Sequence, residues 1–299
     1  MEQKLRFVVA AMQEVPWPEM TARWQRLEAS GLDGAMLADH FVNFAQPKAH
    51  WFEAWTLLAA LATQTSTIRI GLLSATPWRN PAFLARQAMT VDHISNGRLD
   101  LGLGAGASGA VDISYAMTGT PDWPAKERVD RFREVVEIVD QLLRNPESSY
   151  AGQYYQLKGT IMNPLPVQQP RPPLMIGANG PRMLKIVARY ADTWNTFGGV
   201  DIKSPNEMLT LTRGRNAQLD EYCAEIGRDP TTLRRSILVY TQEEYVKMYS
   251  QPGAFEEMVK RYREIGITEF VFFYPFMPMM MPMFEQIVNQ AIPRLRESS

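Results

Sequence analysis

Short runs of β-branched and apolar residues alternate with longer stretches of helical periodicity from one end of the chain to the other. Eight runs read as strands: residues 5–12, 34–38, 68–73, 99–103, 174–177, 192–196, 236–240 and 269–274. Each is bounded by turn-forming residues and followed by a helical pattern. Several helices announce their ends. Asn80-Pro81 places a capping amide before a proline in the first turn, and Gly97 closes the same helix. Ser204-Pro205-Asn206-Glu207 reads as a capping box. In the stretch 125–144, Val129, Phe132, Val136, Val139 and Leu143 recur at spacings of three and four, which gives one buried stripe.

Regular alternation of strand and helix implies a parallel sheet clothed by helices. Eight such units predict closure into a (β/α)8 TIM barrel, a single domain over residues 1–299. Two insertions interrupt the pattern. One follows the fourth strand at residues 107–124 and is rich in glycine, threonine and proline. The other, residues 150–173, joins Gly152-Gln153-Tyr154-Tyr155 to a proline-rich stretch and is expected to be extended loop.

Composition narrows the class. A hydrophobic content of 45% over 299 residues is ample for a large core. The 31 basic and 32 acidic residues nearly cancel and form no long run, which argues against a nucleic-acid surface or an anionic-membrane anchor. Cys223 is the only cysteine, so no intrachain disulfide forms. The apolar run 7–12 is too short for a signal-peptide core, and no apolar stretch approaches the roughly 18 residues of a membrane span. A soluble, cytoplasmic protein is the expectation.

In a barrel of this kind chemistry gathers at the C-terminal ends of the strands. Those ends carry Asp39-His40, Ser74-Ala75-Thr76, Gly104-Ala105-Gly106, Gly177-Ala178-Asn179-Gly180, Asn195 with Gly198-Gly199, and Tyr274. The imidazole of His40 suits acid–base work near neutrality or stabilisation of developing charge. Asp39 beside it is placed to fix a tautomer or bind a ligand hydroxyl. A loop histidine satisfied by a carbonyl is the competing reading, with about equal weight. His93, late in a helix, reads as structural, its charge favoured by the helix dipole. His50 and Glu53 lack a third ligand and make a poor metal site.

Gly104 to Gly109 matches G-x-G-x-x-G. However, no helix opens at once, and the acids about 20 residues on, Glu127 and Asp130, fall within a helix, so a Rossmann nicotinamide site is not expected. Gly177-Ala178-Asn179-Gly180-Pro181 ends a strand and opens a helix, an arrangement suited to phosphate as well as to a plain tight turn. The pair Gly198-Gly199 favours phosphate. Phe44, Trp51, Trp78 and Trp123, with Met277, Met279, Met280, Met281 and Met283, suit either an apolar pocket or a cover or subunit contact; the methionines lean to the latter.

These strings resemble the luciferase-like flavin and deazaflavin oxidoreductases. Gly34-Ala35-Met36-Leu37-Ala38-Asp39-His40-Phe41 resembles their second strand. Ile68-Arg69-Ile70-Gly71 with Thr76-Pro77 and Asn80-Pro81 resembles the third unit, and Ile94 to Leu99 running into Leu101 to Gly106 the fourth. Ile176 to Pro181 and Ala191-Asp192-Thr193-Trp194-Asn195 resemble the fifth and sixth. The resemblance covers roughly residues 5 to 200; the last hundred residues follow only the general pattern.

The resemblance implies a flavin-type ring at the barrel mouth, with Asp39, Leu73, Ser74, Thr76, Gly106, Ala107, Gly177, Ala178, Asn179, Gly180, Asn195 and Gly198 as cofactor contacts. It also implies a non-prolyl cis peptide at Leu73–Ser74. His40 would be the proton carrier, with Asp39 contacting cofactor or substrate. The strings Asp39-His40-Phe41 and Asp192 to Asn195 look closest to the branch that uses coenzyme F420 for hydride transfer to a small organic substrate. The alternatives are an FMN-dependent two-component monooxygenase fed by a separate flavin reductase, and a non-catalytic barrel that binds a flavin-type ligand. A homodimer is expected by family analogy. Phe44 and Ala107 stand where sugar-phosphate dehydrogenases of the deazaflavin branch carry a tryptophan and a glutamate, so their substrate does not carry over.

Overall fold

The computed structural model describes residues 3–43, 45–199, 202 and 204–297. Eight parallel strands close into a barrel: β1 (Arg6–Ala10), β2 (Gly34–Ala38), β3 (Arg69–Ala75), β4 (Leu99–Gly104), β7 (Leu174–Gly177), β8 (Thr193–Thr196), β9 (Arg234–Leu238) and β10 (Glu269–Phe273). Their order around the barrel is β1-β10-β9-β8-β7-β4-β3-β2. The remaining two, β5 (Glu147–Ala151) and β6 (Gln156–Ile161), pair antiparallel in a separate hairpin.

By contact density the chain divides into two compact units, one of residues Met1–Met12, Arg26–Met36 and Ala178–Ser299, the other of Gln13–Gln25 and Leu37–Gly177. The first helix is α1 (Trp17–Ala29). In the second unit, α2 (Ala54–Gln64), α3 (Pro81–Ile94) and α5 (Ala125–Arg144) cover the sheet, with the short α4 (Ser114–Thr118) between α3 and α5 in the chain. The α3 helix begins as the sequence predicts, with the Asn80 side chain accepting the Ala82 N–H and Pro81 following. It ends where the Gly97 N–H reaches back to the Asp92 carbonyl, with Gly97 at φ 78°. The buried apolar residues of α5 are Phe132, Val135, Val136, Ile138, Val139, Leu142 and Leu143, while Val129 in its first turns is only half-buried. In the first unit, α6 (Pro181–Tyr190), α7 (Pro205–Glu225), α8 (Gln242–Ser250) and α9 (Ala254–Arg263) play the same part. Ser204 caps α7 by accepting the Glu207 N–H. Among the described residues no helix is long and apolar enough to cross a membrane.

Three expectations need correction. Residues 150–173 are not all loop: they include the end of β5 and the whole of β6, joined at residues 152–155. The buried Glu134 carboxylate of α5 accepts the N–H groups of Gln153, Tyr154 and Tyr155, so the turn is held by a residue outside it. The ninth strand starts at Arg234, two residues before the apolar run suggests, because Arg235 is buried and paired with Asp220. Finally, Leu73–Ser74 is trans. The cis peptides among the described residues are Asn163–Pro164 and Gln169–Pro170. The β3–β4 ladder runs unbroken through Leu73↔Gly102, Ser74↔Leu103 and Ala75↔Gly104, which leaves no bulge at that point.

Candidate active site

In the unit that carries residues 37–177, β2 stops at Ala38 because the buried Gln13 takes over its edge. The Gln13 amide donates to the Ala38 carbonyl at 2.5 Å and accepts the Ala38 N–H at 3.3 Å. The next two side chains enter different networks. Asp39 is buried, and both its oxygens meet the Arg79 guanidinium, at 2.7 and 3.0 Å. Ser74, wholly buried at the end of β3, donates to the same carboxylate at 2.9 Å. Arg79 also reaches Glu53, whose carboxylate caps α2 through the N–H groups of Trp55 and Thr56. Burial alone would lower the Arg79 pKa, but its bonds to the Asp39 and Glu53 carboxylates hold it above its usual value.

The His40 imidazole is partly exposed, and its Nδ1 lies 2.7 Å from Oδ2 of Asp112. Asp112 comes from the insertion after β4 and is itself buried, its other oxygen accepting the Ser114 N–H at 2.9 Å. Burial pushes the Asp112 carboxyl up, but the bonds from His40 and Ser114 outweigh it and keep the group below the ordinary carboxylate range. The His40 carbonyl in turn accepts the Trp51 indole N–H at 2.8 Å. Thus the histidine is held at both its backbone and its ring.

Thr76 bonds the Gly104 carbonyl, and the Tyr115 hydroxyl bonds the Ala107 carbonyl. The first contact ties the β3 and β4 ends together, and the second holds the segment after β4 folded on itself. At Gly106, φ is 76°, and a Cβ there would meet the Tyr115 hydroxyl at 2.8 Å and Pro77 at 2.9 Å, so glycine is required. Leu73 is half-buried on the same strand as Ser74. Trp78 packs on Tyr115 with ring centres 4.5 Å apart. Trp123 lies under the Arg131 guanidinium. His93 donates from Nε2 to the Leu165 carbonyl at 2.8 Å, and His50 packs its ring on Phe52. Phe44 lies outside the described residues.

In the unit that carries residues 178–299, a second polar group forms. Ala178 is committed to the sheet, its N–H donating to Asn195 and its carbonyl accepting the Trp194 indole. The Asn195 side chain is likewise committed, donating to Ser236 at 2.9 Å. Asn179 is different. Its side-chain oxygen accepts the Thr196 hydroxyl at 2.8 Å and one Arg215 nitrogen at 3.3 Å, and that nitrogen also bonds the Gly198 carbonyl at 2.7 Å. Gly180 caps α6 with no side-chain bond, and a Cβ there would meet nothing within 4 Å. Gly177, the last residue of β7, belongs to the other unit, where a Cβ on it would meet the Leu103 carbonyl oxygen at 4.0 Å. Burial pulls the Arg215 pKa down, and among the described residues its hydrogen-bond partners are neutral oxygens. A guanidinium so placed is suited to an anionic ligand.

The two polar groups contain the expected His40, Asp39, Ser74, Thr76, Asn179 and Gly198. Beside them stand Asp112, Arg79, Arg215 and Gln13, which the sequence does not single out. Of these, Gln13 lies just past the first predicted strand and Arg79 just past the Thr76-Pro77 turn, positions a strand-end search extended by a few residues would reach. Asp112 sits inside an insertion and Arg215 inside a helix, where nothing in the local sequence sets them apart. The methionine-rich segment is divided, with Met280 buried and Met279 largely exposed.

Residues 5–243 match the family model for luciferase-like monooxygenases. The chain is 33% identical over 199 residues to an F420-dependent glucose-6-phosphate dehydrogenase of Amycolatopsis mediterranei (strain U-32), covering 64% of this chain and 57% of that protein. It is 30% identical over 215 residues to the pyrimidine monooxygenase RutA of Acinetobacter baylyi (strain ATCC 33305 / BD413 / ADP1), covering 70% and 55%. The match therefore spans little more than half the length of either relative. Among solved structures, an F420-dependent secondary alcohol dehydrogenase in complex with an F420-acetone adduct superposes with a TM-score of 0.77 at 20% identity, covering 96% of this chain and all of that one. The long-chain alkane monooxygenase LadA superposes with the same TM-score at 14% identity, covering 100% and 92%. Both share the barrel fold.

Proposed function

The chain belongs to the luciferase-like monooxygenase family of oxidoreductases, and we propose that it works with coenzyme F420 on a small organic substrate, His40 carrying the proton. When bound, the deazaflavin supplies two-electron hydride chemistry, while the protein supplies binding and orientation. The observation that carries this reading is His40 itself. It is a partly exposed imidazole at the C-terminal end of a barrel strand, held by Asp112 and Trp51.

The donor set of the second polar group fits a phosphate-bearing cofactor. Among the described residues the Arg215 charge meets only the neutral oxygens of Asn179 and Gly198, and Thr196 holds the Asn179 side chain in place. Gly180 leaves room for close backbone approach. In this reading Arg215, Asn179 and the first turn of α6 bind phosphate. Asp39 serves differently from His40: with Arg79 and Ser74 on its oxygens, it shapes the strand end and carries no proton. Ala107 leaves a sugar-phosphate dehydrogenase without its glutamate, so the substrate named for the Amycolatopsis relative is not proposed here.

The second reading, an FMN-dependent monooxygenase supplied by a separate reductase, is favoured by the similarity to pyrimidine monooxygenase RutA over 70% of the chain. Titration of the purified protein with F420 and with FMN, followed by fluorescence, separates the two. The proposal expects tighter F420 binding and substrate-dependent bleaching of F420 absorbance. Tighter FMN binding, with oxygen consumption in the presence of a flavin reductase, overturns it.

A further inference from the structure

The insertion at residues 107–124 is one of two that depart from a plain strand–helix connection, and it delivers one carboxylate to one imidazole. Asp112 is 2% exposed. One of its oxygens is anchored by the Ser114 N–H at the start of α4 (Ser114–Thr118), and the other faces Nδ1 of His40 at 2.7 Å. The local chain is organised around this residue, because the Asp112 N–H also closes a turn onto the Ser108 carbonyl. A carboxylate only accepts hydrogen bonds, so the shared proton sits on Nδ1 of the ring.

We propose that Asp112 is a positioning residue that fixes His40 in the Nδ1–H tautomer, so that Nε2 is the ring nitrogen that exchanges a proton with the ligand. The inference rests on the reading of His40 as proton carrier. It adds which nitrogen acts, what sets that choice, and what the insertion is for. When Nε2 takes a proton from a ligand O–H or N–H group, that bond breaks and Nε2–H forms. The resulting imidazolium keeps its Nδ1–H on Asp112, whose negative charge balances it. Giving the proton back reverses the same step. Without the carboxylate the Nδ1–H tautomer loses its acceptor, and a ring with its hydrogen on Nε2 presents a donor where an acceptor is needed.

Three histidines in the whole chain, His40, His50 and His93, make a direct test practical. Long-range 1H–15N correlation spectra of the uniformly labelled protein, without added cofactor, report the tautomer of each ring. His40→Gln assigns the His40 signals by their loss. At a pH where the ring is neutral, the expected wild-type result is His40 with its hydrogen on Nδ1, moving to Nε2–H or to a mixture in Asp112→Asn. A wild-type His40 found as the Nε2–H tautomer overturns the proposal without any variant having to fold, and so does a tautomer unchanged in a folded Asp112→Asn.

Turnover supplies the second readout. Asp112→Asn is expected to lower kcat by about 10²- to 10⁴-fold, with KM changed by no more than about twofold. Asp112→Glu is expected to recover part of that loss. If the tautomer shifts while both Asp112→Asn and His40→Ala turn over near the wild-type rate, the positioning by Asp112 stands and the reading of His40 as proton carrier falls.

Discussion

Arg79 grips Asp39 with two parallel hydrogen bonds of 2.7 and 3.0 Å, and this pair closes off the carboxylate that stands next to the candidate proton carrier. Adjacent residues at a strand end therefore do different jobs. Asp39 is 4% exposed, and its charge is tolerated because a guanidinium and the Ser74 hydroxyl surround it. His40 is turned to another carboxylate on another segment.

Removing Arg79 leaves that buried charge uncompensated. Arg79→Ala is expected to lower unfolding stability by about 3 kcal/mol, measured by urea denaturation. Asp39→Asn combined with Arg79→Met is expected to recover at least half of the loss, because the charge and its partner leave together. A single variant as stable as wild type would show that the pair does not hold the strand end.

His40→Ala is expected to reduce kcat by about 10²- to 10⁴-fold with the cofactor still bound. The check is steady-state turnover beside cofactor titration of the same preparation. Survival of turnover within a few fold of wild type would remove His40 from the chemistry.

Arg215→Ala isolates the anionic part of the ligand. A charge-assisted hydrogen bond is worth about 1.5–3 kcal/mol, or roughly tenfold to a hundredfold in affinity. The variant is expected to lose that much affinity for F420 or FMN and none for the same ring systems lacking the phosphate, riboflavin among them. Equal weakening of phosphorylated and dephosphorylated forms would place Arg215 in the support of α7 instead.

The eight barrel strands were legible because a strand of a parallel barrel is buried on both faces and reads as a continuous apolar run. The segments Gly34–Ala38 and Leu174–Gly177 were found to the residue. The β5–β6 hairpin was not, since Gln156–Ile161 alternates polar, exposed positions and has no buried face to betray it. His40 and Asn179 were legible from their places at strand ends. Asp112 and Arg215 act through partners 72 and 36 residues away, and only the folded chain brings those distances to a hydrogen bond.

The depressed carboxyls of Asp112 and Glu53 set an acid limb on stability. For each, burial raises the pKa and the hydrogen bonds received, from His40 and Ser114 or from Thr56, Arg79 and Trp55, lower it further than burial lifts it. A group with a depressed folded pKa stabilises fully above its unfolded value, 3.8 for Asp112, and loses that contribution as pH falls through the folded one. Glu14 and Glu244 are raised by burial and act in the opposite sense, so the informative quantity is the difference between proteins. The stability gap between wild type and Asp112→Asn is expected to be widest near neutral pH and to narrow below about pH 4. A gap constant from pH 7 to pH 3 would count against the stabilising role of the Asp112 charge.

Glu134 offers a test far from any ligand. Its buried carboxylate accepts the Gln153 N–H at 2.8 Å, the Tyr154 N–H at 3.0 Å and the Tyr155 N–H at 3.1 Å, and a Cβ on Gly152 would collide with it. Four consecutive residues thus owe their turn to one side chain on α5. Glu134→Ala deprives three amides of their acceptor at once and is expected to cost about 2 kcal/mol of stability. The sharper measurement is amide hydrogen exchange at residues 153–155, which should accelerate well beyond that of β3 and β4. Because the hairpin pairs only with itself, the barrel should keep its cooperative unfolding transition. Unchanged protection at those three amides would mean that the β5–β6 ladder, rather than Glu134, holds the turn.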